Sequence, residues 1–376
     1  MNSAKPTVVI VGLGLLGASF AAALKKENAE VTLIGISSPD TIQKALADGI
    51  VDKTYTYHQI DEWKSQADLI LLSTPIQHIE QFLNQLKSSS SPFKNNAIIT
   101  DVGSTKSHIC KLADQLFLDH PQDVLFVGGH PMAGSEKRGL DSRDIQLYES
   151  ALWILCPPPQ ITPAQNAQLE LLKSLIQVVG SRIIEIPADL HDAHVAKISH
   201  LPQLMSTLLA VNTLRKAPHA VDISGPGFRD MTRLAASSFS IWKDILQTNT
   251  SEITQALVSY SQLVDELLFA INNKDYTHIE TLFNEGQTLR STVQIPGKGY
   301  SYGLTDVIAH IQDKPKMMQK IVSLLSDANL DIRDIELLKV REGSGGTLRL
   351  AFKSATEADS ALNVLTQNGI YARRRS

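Results

Sequence analysis

A glycine-rich segment close to the start of the chain restricts the fold more strongly than any other stretch. Four apolar residues, 8–11, lead directly into Gly12, Gly14 and Gly17, and a helix-forming sequence follows over residues 18–25. In this spacing the first glycine permits a tight turn, the second lets the backbone approach a pyrophosphate, and the third allows close packing of helix on strand. The helix start offers amides and positive dipole to the phosphates. The segment predicts a dinucleotide-binding unit, and a glycine turn without ligand is the alternative.

Short apolar runs alternate with helical segments over the first half of the chain. This alternation predicts an α/β fold, a doubly wound parallel sheet of the Rossmann type with crossover helices between its strands. The expected strands are 8–11, 31–34, 69–72, 97–100, 124–127, 152–155 and 182–186. We assign residues 1–187 to this dinucleotide-binding domain.

Helical periodicity replaces the strands from residue 188 onward. Apolar residues at three-to-four spacing predict an all-helical substrate and dimerisation domain over residues 188–295, in which Pro202 should kink the first helix. The expected helices are 193–217, 230–248, 250–272 and 275–291.

The pattern changes once more after a predicted linker at 296–299. Over residues 300–376 strands and helices should follow the order βαββαβ, which is typical of a small ferredoxin-like module, with a hairpin at Gly343 to Gly346. The expected strands are 304–311, 330–341, 346–353 and 369–373, and the expected helices are 315–328 and 355–367.

Composition excludes several classes of protein. The chain has 376 residues, 43% of them hydrophobic, and a net charge of -4, which gives little support to nucleic-acid binding. No stretch approaches the roughly 20 apolar residues that span a bilayer, and the first residues do not have the pattern of a signal peptide. Cys110 and Cys156 lack metal-ligand spacing, so we expect core thiols in a reducing compartment. These features predict a cytoplasmic protein.

The end of the second strand bears on the choice of cofactor. An acidic residue is expected there to bind the adenine ribose, but Ser37 occupies the position, and no arginine beside it would bind a 2′-phosphate. We expect NAD and leave NADP open. The predicted cofactor-binding residues are Gly12, Gly14, Leu15, Leu16, Gly17, Ser37, Thr74 and Pro75.

A hydroxyl and an imidazole follow two neighbouring predicted strands. Ser104 comes after one strand and His130 after the next. Because the carboxyl ends of parallel strands line the ligand crevice, both side chains should meet at one edge of the sheet. A neutral imidazole can accept a proton near pH 7 as hydride leaves a carbinol. A lone histidine would more often be structural, but the pair favours a catalytic site.

A third candidate lies in the helical domain. Residues 227–233 should open a helix, with Asp230 or Thr232 as its cap. Arg233 would then lie in the first turn, where the helix dipole disfavours a cation, so it should face an anion such as a substrate carboxylate. A salt bridge with Asp230 or a neighbour is the alternative.

Six segments, in family order, resemble the prephenate dehydrogenases of tyrosine biosynthesis. They are residues 12–17, 101–106, 129–136, 198–202, 227–233 and 242–246. The resemblance covers nearly all of residues 7–290. It implies oxidative decarboxylation of prephenate to 4-hydroxyphenylpyruvate, with hydride transfer to NAD(P).

The resemblance also implies roles for individual residues. His130 would hydrogen-bond the ring hydroxyl and assist hydride departure, with support from Ser104. Arg233 would bind a substrate carboxylate, and Asp230 would help to organise it. The residues expected to shape the pocket are His200, Glu136 and Trp242. Simple packing is the alternative for His200.

Metal ligation is not expected, because aromatisation of the product drives the reaction. His191, Asp192 and His194 look ligand-like but are interpreted as surface residues. Gln203 stands where the family often has histidine, which leaves the detail of the pocket open. Arogenate, the aminated analogue of prephenate, is the alternative substrate.

The third domain resembles the ACT regulatory module. Residues 313–315 match its first loop, but Lys316 stands where glycine is usual. The resemblance implies that this domain binds tyrosine as an effector, and a role in assembly alone is the alternative. The family resemblance also implies a homodimer, formed by the helical domain.

Two other functions stay open for the chain. One is another small-hydroxyacid dehydrogenase, and the other is a nicotinamide-sensing regulator with a vestigial catalytic site.

Overall fold

The computed structural model describes residues 5–118, 120–134, 137–292, 304–311, 314–341 and 345–374. The chain divides into two compact units, Met1–Phe269 and Ala270–Ser376, which are described separately. The division into three domains at residues 187 and 295 stays a prediction.

None of the helices in the described ranges has the length and apolar character needed to cross a membrane.

An eight-stranded sheet forms the centre of the first unit. Its strands are β1 (Thr7–Val11), β2 (Thr32–Ile36), β3 (Lys53–Tyr55), β4 (Leu69–Leu72), β5 (Ile98–Asp101), β6 (Leu125–Pro131), β7 (Leu152–Cys156) and β8 (Arg182–Glu185). They lie in the order β3-β2-β1-β4-β5-β6-β7-β8, and the strand order reverses beside β1. The predicted doubly wound sheet is confirmed.

Two details of the sheet differ from the prediction. Strand β3 was not expected, because it has only three residues and no apolar run. Strand β7 runs antiparallel to β6, so the expectation of a fully parallel sheet is wrong at this edge. A parallel return needs a crossover of about a dozen residues, usually helical. The described part of the β6–β7 connection holds only one short 3₁₀ turn, Leu140–Ser142.

Helices cover both faces of this sheet. They are α1 (Leu15–Lys26), α2 (Pro39–Ala47), α3 (Ile60–Trp63), α4 (Ile76–Ser88), α5 (Ser107–Phe117) and α6 (Pro163–Val178). Because alternate residues of a strand point to opposite faces, β1 contributes to two cores. Val8 and Ile10 pack into one core, and Val9 and Val11 pack into the other.

Five further helices complete the first unit or cross its boundary. They are α7 (Ala188–Val195), α8 (Leu201–Lys216), α9 (Pro226–Thr232), α10 (Phe239–Thr248) and α11 (Thr250–Asn272). A small core of Ala196, Ile245 and Ile253 joins the turn after α7 to α10 and α11, and Leu204 of α8 packs against it.

The structure divides two of the predicted helices. A π-helical turn, Ala196–His200, joins α7 to α8, and Pro202 lies in the first turn of α8, where its missing N–H is tolerated. The expected continuous helix over 230–248 is wrong. Helix α9 ends at Thr232, and α10 begins again behind Ser238, whose hydroxyl accepts the amide of Ser240.

The second unit holds helix α12 (Tyr276–Thr292) and a four-stranded antiparallel sheet. Its elements are β9 (Thr305–Ile311), α13 (Met317–Asp327), β10 (Asp334–Arg341), β11 (Gly345–Phe352), α14 (Ala355–Gln367) and β12 (Ala372–Arg374). The strand order β10-β11-β9-β12 agrees with the predicted βαββαβ module. The predicted linker at 296–299, Asp313 and Gly343 lie outside the described residues. Lys316, at the start of α13, has a φ of +70°.

Candidate active site

The glycine loop between β1 and α1 has the close contacts that its spacing predicts. Gly12 has a φ of +96°, and a Cβ there would lie 2.7 Å from the carbonyl oxygen of Ser73. A Cβ at Gly17 would lie 2.1 Å from the carbonyl oxygen of Gly12. Gly14 is the N-cap of α1 and has open space around its Cβ position, so no side chain caps the amides of the first turn. Leu15 and Leu16 open that turn.

Polar groups beside this loop fit a bound dinucleotide. Ser73 donates a hydrogen bond of 2.6 Å to the carbonyl of Gly12. The next residue, Thr74, has a buried hydroxyl without a hydrogen-bond partner among the described residues, and Pro75 follows as the N-cap of α4. Buried polar groups normally have partners, so an unpartnered hydroxyl here indicates a place for a ligand. Ser37 is buried at the end of β2.

Ser104 and His130 lie at two adjacent strands, β5 and β6, and line one cavity of about 650 Å³. Ser104 follows β5. His130 lies within β6 and not after it, because β6 is extended by pairing with β7, where His130 faces Ile154. The residues that line the cavity are Ser104, His130, Pro131, Met132, Ala133, Gly134, Arg138, Ser199, His200, Ser237, Ser238, Ile241, Trp242 and Ile245. Four predicted site residues, Ser104, His130, His200 and Trp242, therefore lie together.

A buried relay leads from His130 into α7. His130 Nδ1 lies 2.8 Å from His191 Nε2, and His191 Nδ1 lies 2.7 Å from Asp192 Oδ1. His191 and Asp192 are fully buried, so their interpretation as surface residues is wrong, whereas His194 is exposed. Both residues share the buried face of α7 with Val195. That spacing along the helix was the signal in the sequence that could have identified them.

Asp192 fixes the protonation pattern of the relay. It accepts the amides of Lys106 and Ser107 at 2.7 and 2.8 Å. Burial alone would raise the pKa of Asp192, but the hydrogen bonds from His191 and from these two amides outweigh burial and lower the pKa. The carboxylate can only accept, so His191 donates from Nδ1, and a neutral His191 then accepts from His130 Nδ1 through Nε2. His130 Nε2 therefore keeps a lone pair.

Both imidazoles of the cavity wall are neutral at pH 7. Burial, followed by the nearby His191, Lys106 and His200, holds the pKa of His130 well below its usual value. Burial also lowers the pKa of His200 to about 4, although Asp192 acts in the opposite direction. A neutral His130 can accept a proton from a ligand in the cavity.

An ion pair beneath the site holds its two strands in register. Lys106 and Asp101 form a fully buried pair, and Lys106 Nζ also donates to the carbonyl of Gly129 at 2.8 Å. The same carboxylate accepts the amides of Gly103 at 2.8 Å and Gly129 at 3.0 Å. These glycines directly precede Ser104 and His130 in sequence. The pair therefore positions both catalytic candidates.

His200 and Trp242 form an aromatic wall of the cavity. Their rings meet edge to face with centroids 5.8 Å apart. The side-chain amide of Asn249 lies 3.4 Å from His200 Nδ1 and donates at 3.0 Å to the backbone carbonyl of Asp192. Asn249 therefore links His200, in the cavity wall, to Asp192 of the relay.

Arg233 and Asp230 are not brought into this cavity. Both are exposed, and the described residues contain no hydrogen bond or ion pair between them. Arg233 follows the C-terminal end of α9 and begins a short 3₁₀ turn, Arg233–Ala236, so it does not lie in the first turn of the predicted long helix. The dipole of α9 does not disfavour a cation at its C-terminal end, so it gives no reason to expect a facing anion there. Glu136 lies outside the described residues.

Comparisons with known proteins agree with this architecture. Residues 20–185 match the family model "Prephenate dehydrogenase, nucleotide-binding domain", and residues 187–285 match "Prephenate dehydrogenase, dimerization domain". Prephenate dehydrogenase of Bacillus subtilis (strain 168) is 31% identical over 361 residues, which cover 94% of each chain.

Solved structures are similar over most of the chain. Prephenate dehydrogenase from A. aeolicus, in complex with hydroxyphenyl propionate and NAD+, has a TM-score of 0.68 and 27% identity, over 78% of this chain and all of that one. Synechocystis arogenate dehydrogenase has a TM-score of 0.67 and 30% identity, over 77% of this chain and all of that one. The chain belongs to the prephenate dehydrogenase family.

Proposed function

We propose that this chain catalyses the NAD-dependent oxidative decarboxylation of prephenate to 4-hydroxyphenylpyruvate, a step of tyrosine biosynthesis. Membership of the family and the NAD+ bound in the A. aeolicus relative support the reaction and the cofactor. The observation that carries the proposal is the relay from Asp192 through His191, which leaves His130 Nε2 as a proton acceptor in the cavity.

Proton movement follows from the protonation pattern of the relay. Bound NAD supplies the hydride acceptor. His130 Nε2 accepts the proton of the ring hydroxyl while hydride leaves the same carbon, and the Ser104 hydroxyl helps to hold that oxygen. The resulting ketone loses carbon dioxide, and the electron pair of the broken bond moves into the ring and onto the carbonyl oxygen. The phenolate then recovers its proton from His130, so no net proton is released.

Three predicted binding residues remain part of the proposal. Arg233 binds a substrate carboxylate, Asp230 organises it, and Glu136 shapes the pocket. The exposed position of Arg233 leaves its guanidinium accessible. If Arg233 has this role, Arg233→Ala raises the Michaelis constant for prephenate. An unchanged constant would contradict the role.

Arogenate is the second candidate substrate, because the Synechocystis relative is an arogenate dehydrogenase. The discriminating experiment is the initial rate of nicotinamide reduction with prephenate and with arogenate, each with NAD and with NADP. We expect the highest kcat/KM with prephenate and NAD. Absence of turnover in all four mixtures would contradict the proposed function.

Assembly, location and regulation complete the proposal. The helical region exposes large apolar side chains, among them Leu208, Phe239 and Leu263, and its family model is that of a dimerization domain. We therefore expect a homodimer.

The location and the regulation of the enzyme are also part of the proposal. Cys110 and Cys156 are both free thiols, which fits a cytoplasmic enzyme. The βαββαβ unit is proposed to act as an ACT module that binds tyrosine.

A further inference from the structure

A guanidinium that no sequence motif pointed to lies in the wall of the substrate cavity. Arg138 lines this cavity together with Ser104 and His130. Its Nη2 donates to Ser240 Oγ at 2.7 Å, and its backbone carbonyl accepts from Ser142 Oγ, also at 2.7 Å. Both the backbone and the side chain are held, so the guanidinium has a defined place between the segment after β6 and the start of α10.

The charge of the cavity makes this residue significant. Because burial keeps His130 and His200 neutral at pH 7, Arg138 carries the single permanent charge among the described lining residues. Prephenate brings two carboxylates. Moving a carboxylate out of water is costly unless it is paired, so a cation in the wall has a direct use.

The hydrogen-bonding capacity of Arg138 is mostly unused. A guanidinium has five N–H donors in a planar fork. One of them goes to Ser240, and within the described ranges no other hydrogen bond or ion pair of this side chain is found. Arg143, five residues further on, is different. Its guanidinium forms an ion pair with Asp48 at 2.8 Å, and it lies outside the cavity. The remaining donors of Arg138 match the planar shape of a carboxylate.

The position of the reacting carbon selects one carboxylate. The ring hydroxyl must lie beside His130 and Ser104, so the carboxylate and the pyruvyl side chain on the opposite ring carbon point away from them. Arg138 is exposed and therefore lies at the cavity mouth. The longer pyruvyl arm is better able to reach the mouth than the carboxylate attached directly to the ring.

We propose that Arg138 binds the side-chain carboxylate of the substrate and favours an α-keto acid side chain over an α-amino acid side chain. The pyruvyl group of prephenate presents only acceptors to the guanidinium. The corresponding group of arogenate brings an ammonium, and the like charges oppose each other. The inference rests on the proposed function, because it assigns a further binding residue to the same cavity.

Binding of two phenols to the NAD-loaded full chain tests the contact without turnover. 4-Hydroxyphenylpropionate has the side-chain carboxylate, and 4-propylphenol lacks it. By calorimetry, Arg138→Gln should weaken binding of the first about 10–100-fold, the loss expected for hydrogen bonds between charged groups, and leave the second unchanged. The matched control Arg182→Gln removes an exposed arginine outside the cavity and should change neither. Equal weakening of both phenols, or no weakening, would overturn the proposal.

Kinetics tests the selectivity. Arg138→Gln should raise the Michaelis constant for prephenate with little change in kcat, and it should lower the preference for prephenate over arogenate about tenfold or more. Arg138→Lys keeps the charge without the fork and should give an intermediate value. An unchanged preference would contradict the proposal. If the wild type binds 4-hydroxyphenylpropionate through Arg138 but does not turn over prephenate, the proposed function fails and the contact stands.

Discussion

Asp192 controls, through His191, which nitrogen of His130 carries the proton. With a neutral His191, the two hydrogen bonds of 2.7 and 2.8 Å run from His130 Nδ1 to His191 and from His191 Nδ1 to Asp192. Burial of the imidazole keeps the pKa of His130 low, so the acceptor nitrogen is available at pH 7. In the proposed mechanism, catalysis therefore depends on a carboxylate that does not line the cavity.

Replacing Asp192 by asparagine should disrupt this order. The carboxylate accepts from His191 Nδ1 and from the amides of Lys106 and Ser107, whereas the NH₂ group of an asparagine must face one of these donors. We expect kcat to fall about 10²–10⁴-fold, as for loss of a general base, while the dissociation constant for NAD is unchanged. The control is Asp189→Asn, because Asp189 lies on the exposed face of the same helix. An Asp192→Asn enzyme within about threefold of the wild type would contradict the relay.

Lys316 occupies a backbone conformation that favours glycine. Its φ of +70° costs a residue with a Cβ about 1–2 kcal/mol. Lys316→Gly relieves this cost but increases the entropy of the unfolded chain, so we expect a net stabilisation of up to about 1 kcal/mol. Lys320→Gly, in the middle of α13, should instead destabilise by about 1 kcal/mol. Calorimetric melting of the full chain measures both, and destabilisation by both variants would disprove the strain.

At the scale of elements, strands β5 and β6 are held in register by the buried pair of Lys106 and Asp101. The pair bonds to Gly103 and Gly129, which directly precede the two catalytic candidates. Register within the sheet and geometry at the site are therefore set by the same carboxylate.

Lys106→Met should leave the Asp101 carboxylate buried and unpaired. Removing one partner of a buried pair costs about 3–5 kcal/mol. The exposed pair of Lys5 and Glu30, at 2.6 Å, provides the control, and Lys5→Met should cost less than about 1 kcal/mol. Denaturant unfolding of both variants gives the comparison. If both variants lose an equally small amount of unfolding free energy, the buried pair does not hold the strands together.

The sequence predicted those parts of the fold that depend on local pattern. The glycine loop, most strands and the neighbouring positions of Ser104 and His130 follow from short-range spacing. The direction of β7 did not, because the described part of the β6–β7 connection holds a short 3₁₀ turn in place of a crossover helix. The burial of His191 was also not predicted, because the polarity of the side chain suggested a surface residue, although its helical spacing from Val195 indicated the buried face of α7. Arg233 was misplaced because Ser238 restarts the helix behind it.

At the scale of the whole molecule, exposed apolar side chains in the helical region predict self-association. Sedimentation equilibrium of the full chain should give twice the chain mass of 41.2 kDa. Leu208→Glu, on α8, should shift the mass toward that of one chain, because it places a charge in the expected interface. Leu46→Glu, on α2, is similarly exposed and should leave the dimer intact. A wild type with the mass of one chain would contradict the proposed dimer.

The rate of NAD reduction with prephenate, measured for the wild type and for His130→Asn, tests the proposed reaction at its centre. Asparagine cannot accept the hydroxyl proton, so we expect turnover by the wild type and a fall in kcat of about 10²–10⁴-fold in the variant. A wild type that does not oxidise prephenate would contradict the proposed function, and a variant that oxidises it at the wild-type rate would contradict the role of His130.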